Sequence, residues 1–551
     1  MKSQVLSKID YSLMLALGIS LLLRIPTFLV PSWSVDEGFI AANATLILEG
    51  GVLYRDAVDH RAPLLTYLYS LIFALFGNYN TVAIYMALML VIVTILILLY
   101  KTSQLFLNRV GVKCCIFLFA SLSTTFTELS SDLYPFNTEW LMVALSLAGS
   151  YCLLKGLKPK QYFNYKLGLV SGVFFGLSLM TKQVALLDLL TSLCFVLAVP
   201  ILNKNFSRLP ILKSLTYALC IIIGSSLVLV LFWSFFAFNG AFNEFWFYVF
   251  TYNKNYYAIH SVTPTRLLGA ITISLDKFLS DYGFYFLTFT ACVLIIFSQL
   301  GKIKLHNSGA NNFPVYWLMM LVSSFIAVTS PLRFFDHYYI QMIPSLCLLS
   351  ALTMESIYDT FKNIQPCNTV QKKLISIYTV GFIVGLQGIP LLMNISHSLA
   401  GIKFWKQVHL SPESSRSRLI SFIQQNSSKQ DRIFVWGFAS DIYLMSQRIP
   451  GSRFTYCTFV TGAIPGKNDW DLNTDQWIVP GSMNLLIDDL TETKPRLIID
   501  TSPGDIMRWG RYPIEQYPEL QNIIDNGYEL AAEVKDVDNS RVIYRVYKLI
   551  N

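Results

Sequence analysis

Charged residues are scarce in this chain. Only 14% of its 551 residues are Asp, Glu, Lys or Arg, whereas 54% are hydrophobic. This composition is too apolar for a single soluble domain of that size. It therefore indicates a membrane protein with a further, more polar part. Cysteines are also few: there are nine, mostly inside apolar runs, and neither a disulfide framework nor a metal-spaced set is visible.

Apolar runs long enough to cross a bilayer recur up to about residue 397 and then stop. Because a span needs about 20 mostly apolar residues, we predict about 11 spans. They lie near 11–30, 82–100, 113–128, 138–154, 167–181, 184–201, 212–238, 281–299, 314–330, 338–357 and 374–395. The apolar run at 64–76 is too short for a span and is predicted to be a re-entrant or interfacial helix.

The loops between these spans alternate in charge. Lysines and arginines fall on the side of the N-terminus and most acidic side chains on the other side, so the positive-inside rule places the N-terminus in the cytoplasm. Topology therefore explains the net charge of +8, and we expect membrane lipids but no nucleic acid as partners. Compact loops and a single cysteine in the tail favour a bacterial plasma (inner) membrane.

The tail after residue 397 differs in pattern from the membrane part. Amphipathic stretches at 415–425 and 517–526 alternate with strand-like runs at 432–436, 496–500 and 542–547. The predicted fold is thus mainly α. A multi-span membrane domain at 1–397, with its first outer loop at 31–81, precedes a soluble α/β domain at 398–551. An odd number of spans places that domain outside the cytoplasm.

Two adjacent carboxylates, Asp36 and Glu37, begin the first outer loop. They could accept a proton from an acceptor hydroxyl or, together with His60, hold a divalent cation. An acidic start of a helix would place the same residues there without any catalytic role. Asp132 begins the second outer loop and could face this pair across one cavity. No ligand spacing demands a metal, so a divalent cation is a possibility and no other cofactor is predicted.

Several basic and aromatic side chains are candidates for binding a substrate phosphate. They are Arg55, His60, Arg61, Lys182, Arg333, His337 and Tyr338. Arginine offers a fork of donors that fits phosphate oxygens, and Lys182 lies between two apolar runs, where a charge is costly and therefore indicates a site. Surface salt bridges, a snorkelling lysine and an aromatic belt would explain the same residues without a site.

The order of these features resembles the GT-C glycosyltransferases of the protein O-mannosyltransferase and lipid A aminoarabinose-transferase type. The shared features, over about residues 1–395, are the Asp36-Glu37 pair, Arg61-Ala-Pro63, Asp132, the Thr-Lys182 pair and the Arg333…His337-Tyr338 cluster. The resemblance implies a membrane enzyme that transfers a sugar from a polyprenyl-phosphate carrier at the extracytoplasmic interface. We expect the acceptor to be a lipid, protein or polysaccharide and the reaction to be an inverting displacement.

The resemblance also implies roles for single residues. Asp36 would be the catalytic or acceptor-orienting acid and Asp132 a second acid, whereas Arg61 and Lys182 would bind the carrier phosphate. Arg61-Ala-Pro stands where many relatives have Lys-Pro-Pro, which leaves the details of carrier binding open.

Two other functions use a similar architecture. A lipid-linked sugar transporter or flippase also has charged residues on apolar helices, but here the charges cluster at one face and no inverted repeat is apparent. An oligosaccharide polymerase would share the fold and join longer chains. The sequence specifies neither the sugar, hexose or pentose, nor the acceptor.

Overall fold

The structure is a computed structural model that describes most of the chain. The described ranges are 10–124, 133–157, 163–204, 207–258, 290–296, 312–363, 411–468, 473–536 and 541–550, with single residues or pairs of residues between some of them. The predicted acid Asp132 lies outside the described residues, as do more than half of the predicted span near 281–299 and nearly all of the one near 374–395.

Helices make up the membrane part. They are α1 (Tyr11–Leu23), α2 (Val35–Leu48), α3 (Leu64–Phe76), α4 (Thr81–Ser103), α5 (Arg109–Leu122), α6 (Thr138–Gly156), α7 (Tyr165–Leu179), α8 (Leu186–Leu202), α9 (Arg208–Phe238), α10 (Phe242–Trp246), α11 (Phe313–Thr329) and α12 (Ile343–Asn363). Short 3-10 helices occupy Ile25–Leu29, Gln183–Ala185 and Asp336–Met342, and a π-helix runs over Phe247–Tyr257.

Five helical segments among the described residues are long and apolar enough to cross a membrane. These are Tyr11–Leu29, Thr81–Ser103, Gln183–Leu202, Arg208–Phe238 and Asp336–Thr360. Leu64–Phe76, Tyr165–Leu179 and Phe313–Thr329 are apolar but shorter. A mainly helical protein with several candidate spans is thus confirmed, whereas the count of about 11 spans stays a prediction. The short helix predicted at 64–76 is present.

Two glycines let α7 and α9 pack closely. A Cβ at Gly172 would lie 2.1 Å from the carbonyl oxygen of Ile221, and one at Gly224 would lie 2.1 Å from that of Leu169. Small residues at helix crossings allow such approach in membranes, where van der Waals packing drives helix association. This contact fixes α7, whose end leads directly into the segment that carries Lys182.

The C-terminal part contains one mixed sheet. Its strands are β1 (Arg432–Trp436), β2 (Ile449–Pro450), β3 (Leu497–Asp500), β4 (Tyr528–Lys535) and β5 (Val542–Leu549), in the order β2-β1-β3-β5-β4. Strand β1 is parallel to β2 and β3, whereas β5 is antiparallel to β3 and β4. The helices are Ser415–Asn426, Asp441–Ser446, Thr458–Thr461, Ser482–Thr493 and Pro518–Gly527, with 3-10 helices at Asp475–Trp477, Ile506–Arg511 and Ile514–Gln516.

The predicted helices and strands of the tail are therefore present. A separate extracytoplasmic α/β domain with a boundary at 397/398 remains a prediction, because most residues from 364 to 410 are outside the described ranges.

The C-terminal part packs against the first outer loop. Gly38 in α2 lies so close to the segment around Asp441 that a Cβ there would be 2.4 Å from the Cα of Asp441. The backbone N–H of Val58 donates to the carbonyl of Arg453 at 2.9 Å. These contacts hold residues from beyond position 430 next to the loop that carries the candidate carboxylates.

Candidate active site

Asp36 lies in the first turn of α2, which Ser34 caps through a 3.1 Å hydrogen bond from the backbone N–H of Glu37 to its hydroxyl. Its Oδ1 accepts a 2.6 Å bond from Nη2 of Arg61 and a 3.0 Å bond from the hydroxyl of Tyr456. The side chain remains 33% exposed. Asp36 is thus held in one orientation and stays accessible to a substrate.

The pKa of Asp36 lies below its ordinary value. Burial alone would raise it, but the charges of Arg61 and His337 and the hydrogen bond from Tyr456 favour the ionised form more strongly. Asp36 is therefore a carboxylate at neutral pH. It can accept a hydrogen bond from a hydroxyl or amine but has no proton to donate.

Glu37 is bonded to a different set of groups. Its carboxylate accepts from the backbone N–H of Trp33 at 3.1 Å, from the hydroxyl of Tyr85 at 3.1 Å and from the backbone N–H of Phe136 at 3.3 Å. Burial raises its pKa to about 7. These partners differ from Arg61 and Tyr456, the groups that bond to Asp36, so the geometry gives Glu37 a positioning role between α2 and the segment after residue 133. Its predicted catalytic role gains no support here.

The proposed metal ligands do not converge. Within the described part of the chain, no three His, Cys, Asp or Glu side chains come together in a group that could hold a metal ion. Asp36 is instead paired with an arginine, and the Glu37 carboxylate is bonded to two backbone N–H groups and a tyrosine. A cation site at Asp36, Glu37 and His60 therefore has no geometric support.

Arg61 is enclosed by two carboxylates and a ring. Besides its bond to Asp36, its Nη1 lies 3.7 Å from Oδ1 of the buried Asp59, and its guanidinium lies 4.9 Å from the ring centre of Phe39. Among the described residues Nη1 is buried without a hydrogen-bond partner. A buried donor that lacks a partner is costly, so this nitrogen is available for an oxygen of a bound anion.

His60 is neutral at physiological pH. Burial lowers its pKa well below the ordinary value, and the charges of Arg61 and Arg333 lower it further. Its ring lies 4.5 Å from that of Tyr257. His60 would therefore meet a phosphate as a hydrogen-bond donor and not as a cation.

Polar contacts bring the end of the first loop onto the junction of α7 and α8. The backbone N–H of Leu64 donates to the carbonyl of Met180 at 2.8 Å. The carbonyl of His60 accepts from the side-chain amides of Gln183 at 3.1 Å and Asn253 at 2.6 Å. Arg61 and Lys182 consequently lie at the same end of the helices, although the sequence separates them by a hundred residues and more.

Lys182 pairs with Glu139, in the first turn of α6. Its Nζ also lies 4.1 Å from the ring centre of Tyr338, and Nε2 of His337 lies 3.8 Å from the same Glu139 carboxylate. Two of the predicted binding residues thus lie against one acid, and a third, Tyr338, lies against the lysine. Glu139 stands where a second acid was expected to face the first loop, whereas the predicted acid, Asp132, is outside the described residues.

Arg333 lies against the end of the π-helix. Its guanidinium is 3.5 Å from the ring centre of Tyr257, and Nη2 donates to the carbonyl of Tyr257 at 2.7 Å. In the part of the chain that the structure describes, Nη1 is buried and has no hydrogen-bond partner. Like Arg61, this arginine has an unused donor.

These contacts join most of the predicted residues into one group, which we name the outer cluster. It consists of Asp36, His60, Arg61, Glu139, Lys182, Arg333, His337 and Tyr338. Arg55 does not belong to it. This arginine pairs with its neighbour Asp56 at 2.7 Å, donates to the carbonyl of Asn239 at 2.9 Å and is 40% exposed.

One family model and several solved structures resemble this chain. A family model described as dolichyl-phosphate-mannose-protein mannosyltransferase matches residues 60–233. The apo structure of ArnT from Cupriavidus metallidurans superposes with a TM-score of 0.60 at 10% identity, over 97% of each chain. The chain has the GT-C fold. The resemblance predicted from the sequence is thereby confirmed.

A second relative with the GT-C fold is the archaeal oligosaccharyltransferase AglB from Archaeoglobus fulgidus, in complex with an inhibitory peptide and a dolichol-phosphate. Its TM-score is 0.57 at 12% identity, over 94% of this chain and 72% of AglB. ArnT has also been solved bound to undecaprenyl phosphate, with a TM-score of 0.58 and 10% identity over 97% of each chain. No curated protein has a significantly similar sequence.

Two residues next to the outer cluster were not predicted. Tyr456 bonds to Asp36, and Lys467 donates to the carbonyl of Tyr256 beside Arg333. Both come from the C-terminal part and lie in no motif that the sequence analysis used. Tyr257, in contrast, belongs to the aromatic stretch before residue 258, a composition typical of both sugar sites and membrane interfaces.

Proposed function

We propose that this protein transfers a sugar from a polyprenyl-phosphate carrier to an extracytoplasmic acceptor, with inversion at the anomeric carbon. The observation that carries the proposal is the outer cluster itself. An ionised, accessible carboxylate lies among arginines that have buried, unused donors, at the end of membrane helices. Such a site can hold an acceptor hydroxyl beside a lipid phosphate.

The basic side chains would bind the phosphate of the donor. Arg61, Lys182 and Arg333 offer charged donors, and neutral His60 adds a polarisable N–H. As the bond between sugar and phosphate breaks, its electron pair moves onto the phosphate, which becomes more negative. Fixed cations stabilise that developing charge most in a site with little water. The carriers bound by ArnT and AglB, undecaprenyl phosphate and dolichol-phosphate, support this donor class.

Asp36 would orient the acceptor. A hydroxyl or amine that donates to this carboxylate directs its lone pair at the anomeric carbon, from the face opposite the phosphate. Because the pKa of Asp36 is low, the carboxylate acts chiefly as an oriented acceptor, and the released proton passes on to water. The phosphate departs as an anion, so this mechanism requires no strong general acid.

The location of the site follows from the predicted topology. The first outer loop and the C-terminal part together form the surroundings of Asp36. With the N-terminus in the cytoplasm, this face of the protein lies outside, and we propose a bacterial plasma membrane. The acceptor would then be a lipid, protein or polysaccharide of the cell envelope.

The decisive experiment compares membranes that contain the native chain, Asp36→Asn or Asp56→Asn. Each is incubated with a panel of radiolabelled polyprenyl-phosphate sugars, both hexoses and pentoses. Transfer of label should occur with the native chain and with the Asp56 variant, which changes a partly exposed acid outside the outer cluster. Asp36→Asn should lower the rate by at least about 100-fold.

Two other outcomes would assign a different function. Carrier that crosses the bilayer without transfer of label, equally with the native chain and Asp36→Asn, would indicate a flippase. Label that accumulates in products many sugars long would indicate a polymerase. Single-sugar products, together with loss of transfer in Asp36→Asn, would support the transferase.

A further inference from the structure

Lys467 reaches the outer cluster from the C-terminal part. It follows Gly466, where a Cβ would lie 3.3 Å from the ring of Phe335 and 3.6 Å from the side chain of Arg333. The loop around Lys467 is therefore packed directly on the segment that carries Arg333. Its ammonium group donates to the carbonyl of Tyr256.

The two cations bind neighbouring carbonyls of the π-helix. Arg333 donates to the carbonyl of Tyr257, and Lys467 donates to that of Tyr256. Each retains donors that these bonds do not use, since an ammonium group has three N–H bonds and Nη1 of Arg333 is buried without a partner among the described residues. The end of the π-helix thus holds two cations side by side with free donors.

These cations differ from the others in their charge balance. Arg61 is paired with Asp36, and Lys182 is paired with Glu139. Among the residues that the structure describes, neither Arg333 nor Lys467 forms an ion pair with a carboxylate. Two like charges brought together at a partly buried position repel each other unless an anion lies between them.

We propose that Lys467 and Arg333 together bind the phosphate of the polyprenyl carrier and that Lys467 binds its dianionic form most strongly. This inference rests on the proposed function for the identity of the carrier. The donor is a phosphodiester with one negative charge. The carrier released by sugar transfer is a phosphomonoester, which carries about −1.5 to −2 charges at pH 7. Lys467 is a second cation that no described carboxylate balances. It can therefore balance the additional negative charge that the phosphate acquires as the sugar leaves.

A purely structural role for Lys467 predicts different behaviour. Cations at the carboxyl end of a helix stabilise its unpaired carbonyls, and Lys467 could serve only to join the C-terminal part to the π-helix. Removal of the charge would then lower stability without changing carrier affinity. Binding and stability must therefore be measured on the same samples.

The test uses the full-length protein in detergent micelles and the variants Lys467→Met, Lys467→Arg and Lys429→Met. Methionine keeps the apolar stem without the charge, arginine keeps the charge, and Lys429 is an exposed lysine of the same C-terminal part. The affinity for a 55-carbon polyprenyl phosphate is measured by equilibrium binding. Lys467→Met should weaken binding about tenfold, whereas Lys467→Arg should stay within about threefold of the native value and Lys429→Met should be unchanged.

A second measurement needs no variant. An amine-reactive reagent is applied to the native protein with and without the polyprenyl phosphate, and modification of each lysine is read by peptide mass spectrometry. The carrier should protect Lys467 and leave Lys429 as reactive as before. This readout also decides the matter if Lys467→Met does not fold.

The outcomes separate this inference from the proposed function. Unchanged carrier affinity in Lys467→Met, or equal labelling of Lys467 with and without carrier, would overturn the inference even if the native chain transfers sugar. Weaker binding in Lys467→Met together with no transfer by the native chain would keep the phosphate site and reject the transferase.

Discussion

The hydroxyl of Tyr456 donates a 3.0 Å hydrogen bond to Oδ1 of Asp36, across a sequence separation of 420 residues. Its ring is stacked between Phe39, at 3.9 Å, and Phe438, at 4.2 Å. One tyrosine therefore connects the C-terminal part, the first outer loop and the candidate catalytic carboxylate. The orientation of Asp36 depends on both parts of the chain.

Tyr456→Phe should reduce transfer without unfolding the protein. The phenylalanine ring can keep both stacking contacts, but Asp36 loses one of the bonds that orient it and lower its pKa. We expect kcat/KM to fall by about tenfold, the equivalent of one ordinary hydrogen bond to a charged group. Steady-state kinetics with a fixed donor and varied acceptor would measure the change.

Tyr547→Phe is the matched control, because it removes a hydroxyl from strand β5 of the same C-terminal part. Its kinetics should equal those of the native chain. Equal loss in both variants would point to a general disturbance of the C-terminal part and would contradict a specific role for Tyr456.

Arg61→Gln should weaken use of the donor, and Arg61→Lys should restore only part of it. Glutamine removes the charge next to Asp36, so the pKa of Asp36 rises and the phosphate loses a fork of donors. We expect kcat/KM for the donor to fall by roughly 10- to 100-fold in Arg61→Gln. Full activity of Arg61→Lys would show that a point charge suffices and would argue against bidentate phosphate binding.

Variants of the ion pair between Lys182 and Glu139 can distinguish an effect on stability from an effect on sugar transfer. Lys182→Met leaves the Glu139 carboxylate, whose side chain is 2% exposed, without its main partner. The loss of one partner from a largely buried pair destabilises a protein by about 3 kcal/mol or more. The double variant Lys182→Met with Glu139→Gln removes both charges and should recover most of the thermal stability.

Transfer should not recover in that double variant, because the phosphate still lacks the lysine. Thermal unfolding in micelles and transfer assays on the same preparations would check both statements. A double variant that is as active as the native chain would limit Lys182 to a structural role.

The sequence predicted the membrane half of the outer cluster because charges are costly there. Lys182 stands out between two apolar runs, and Arg333 with His337 forms a basic cluster at the start of a span. In the polar C-terminal part a tyrosine or a lysine is common and carries no such energetic cost. The sequence around Tyr456 and Lys467 therefore did not indicate a site. Tertiary packing places them near Asp36 and Arg333, through the contact of α2 with the segment around Asp441 and that of Gly466 with Phe335.

The first outer loop shows a second limit of sequence analysis. Asp36 and Glu37 are adjacent, but neighbouring residues of a helix point about 100° apart, so one carboxylate reaches the cluster and the other is bonded to Tyr85 and Phe136. Arg55 lies outside the outer cluster for a related reason: the adjacent Asp56 pairs with it locally. Spacing identified the loop as important, but it could not assign partners within it.

The pKa of Lys467 predicts a pH dependence that the native chain alone should show. Burial and the charge of Arg333 lower this pKa to about 8, while the two other described groups that Lys467 contacts, the Tyr256 carbonyl and the Trp477 ring, are uncharged. The ammonium therefore loses its proton as the pH rises through 8. If it binds the carrier phosphate, kcat/KM for the donor should fall between pH 7 and 9.

Lys467→Arg should flatten that part of the profile, since an arginine stays charged throughout the range. Unfolding does not account for the loss: the pKa in the folded protein is below the value of about 10.4 in an unfolded chain, so the contribution of Lys467 to stability increases from pH 8 upward. Profiles of kcat/KM against pH, with thermal midpoints at each pH, would measure both effects. If the profiles of the native chain and Lys467→Arg coincide above pH 8, Lys467 does not contribute its charge to donor binding.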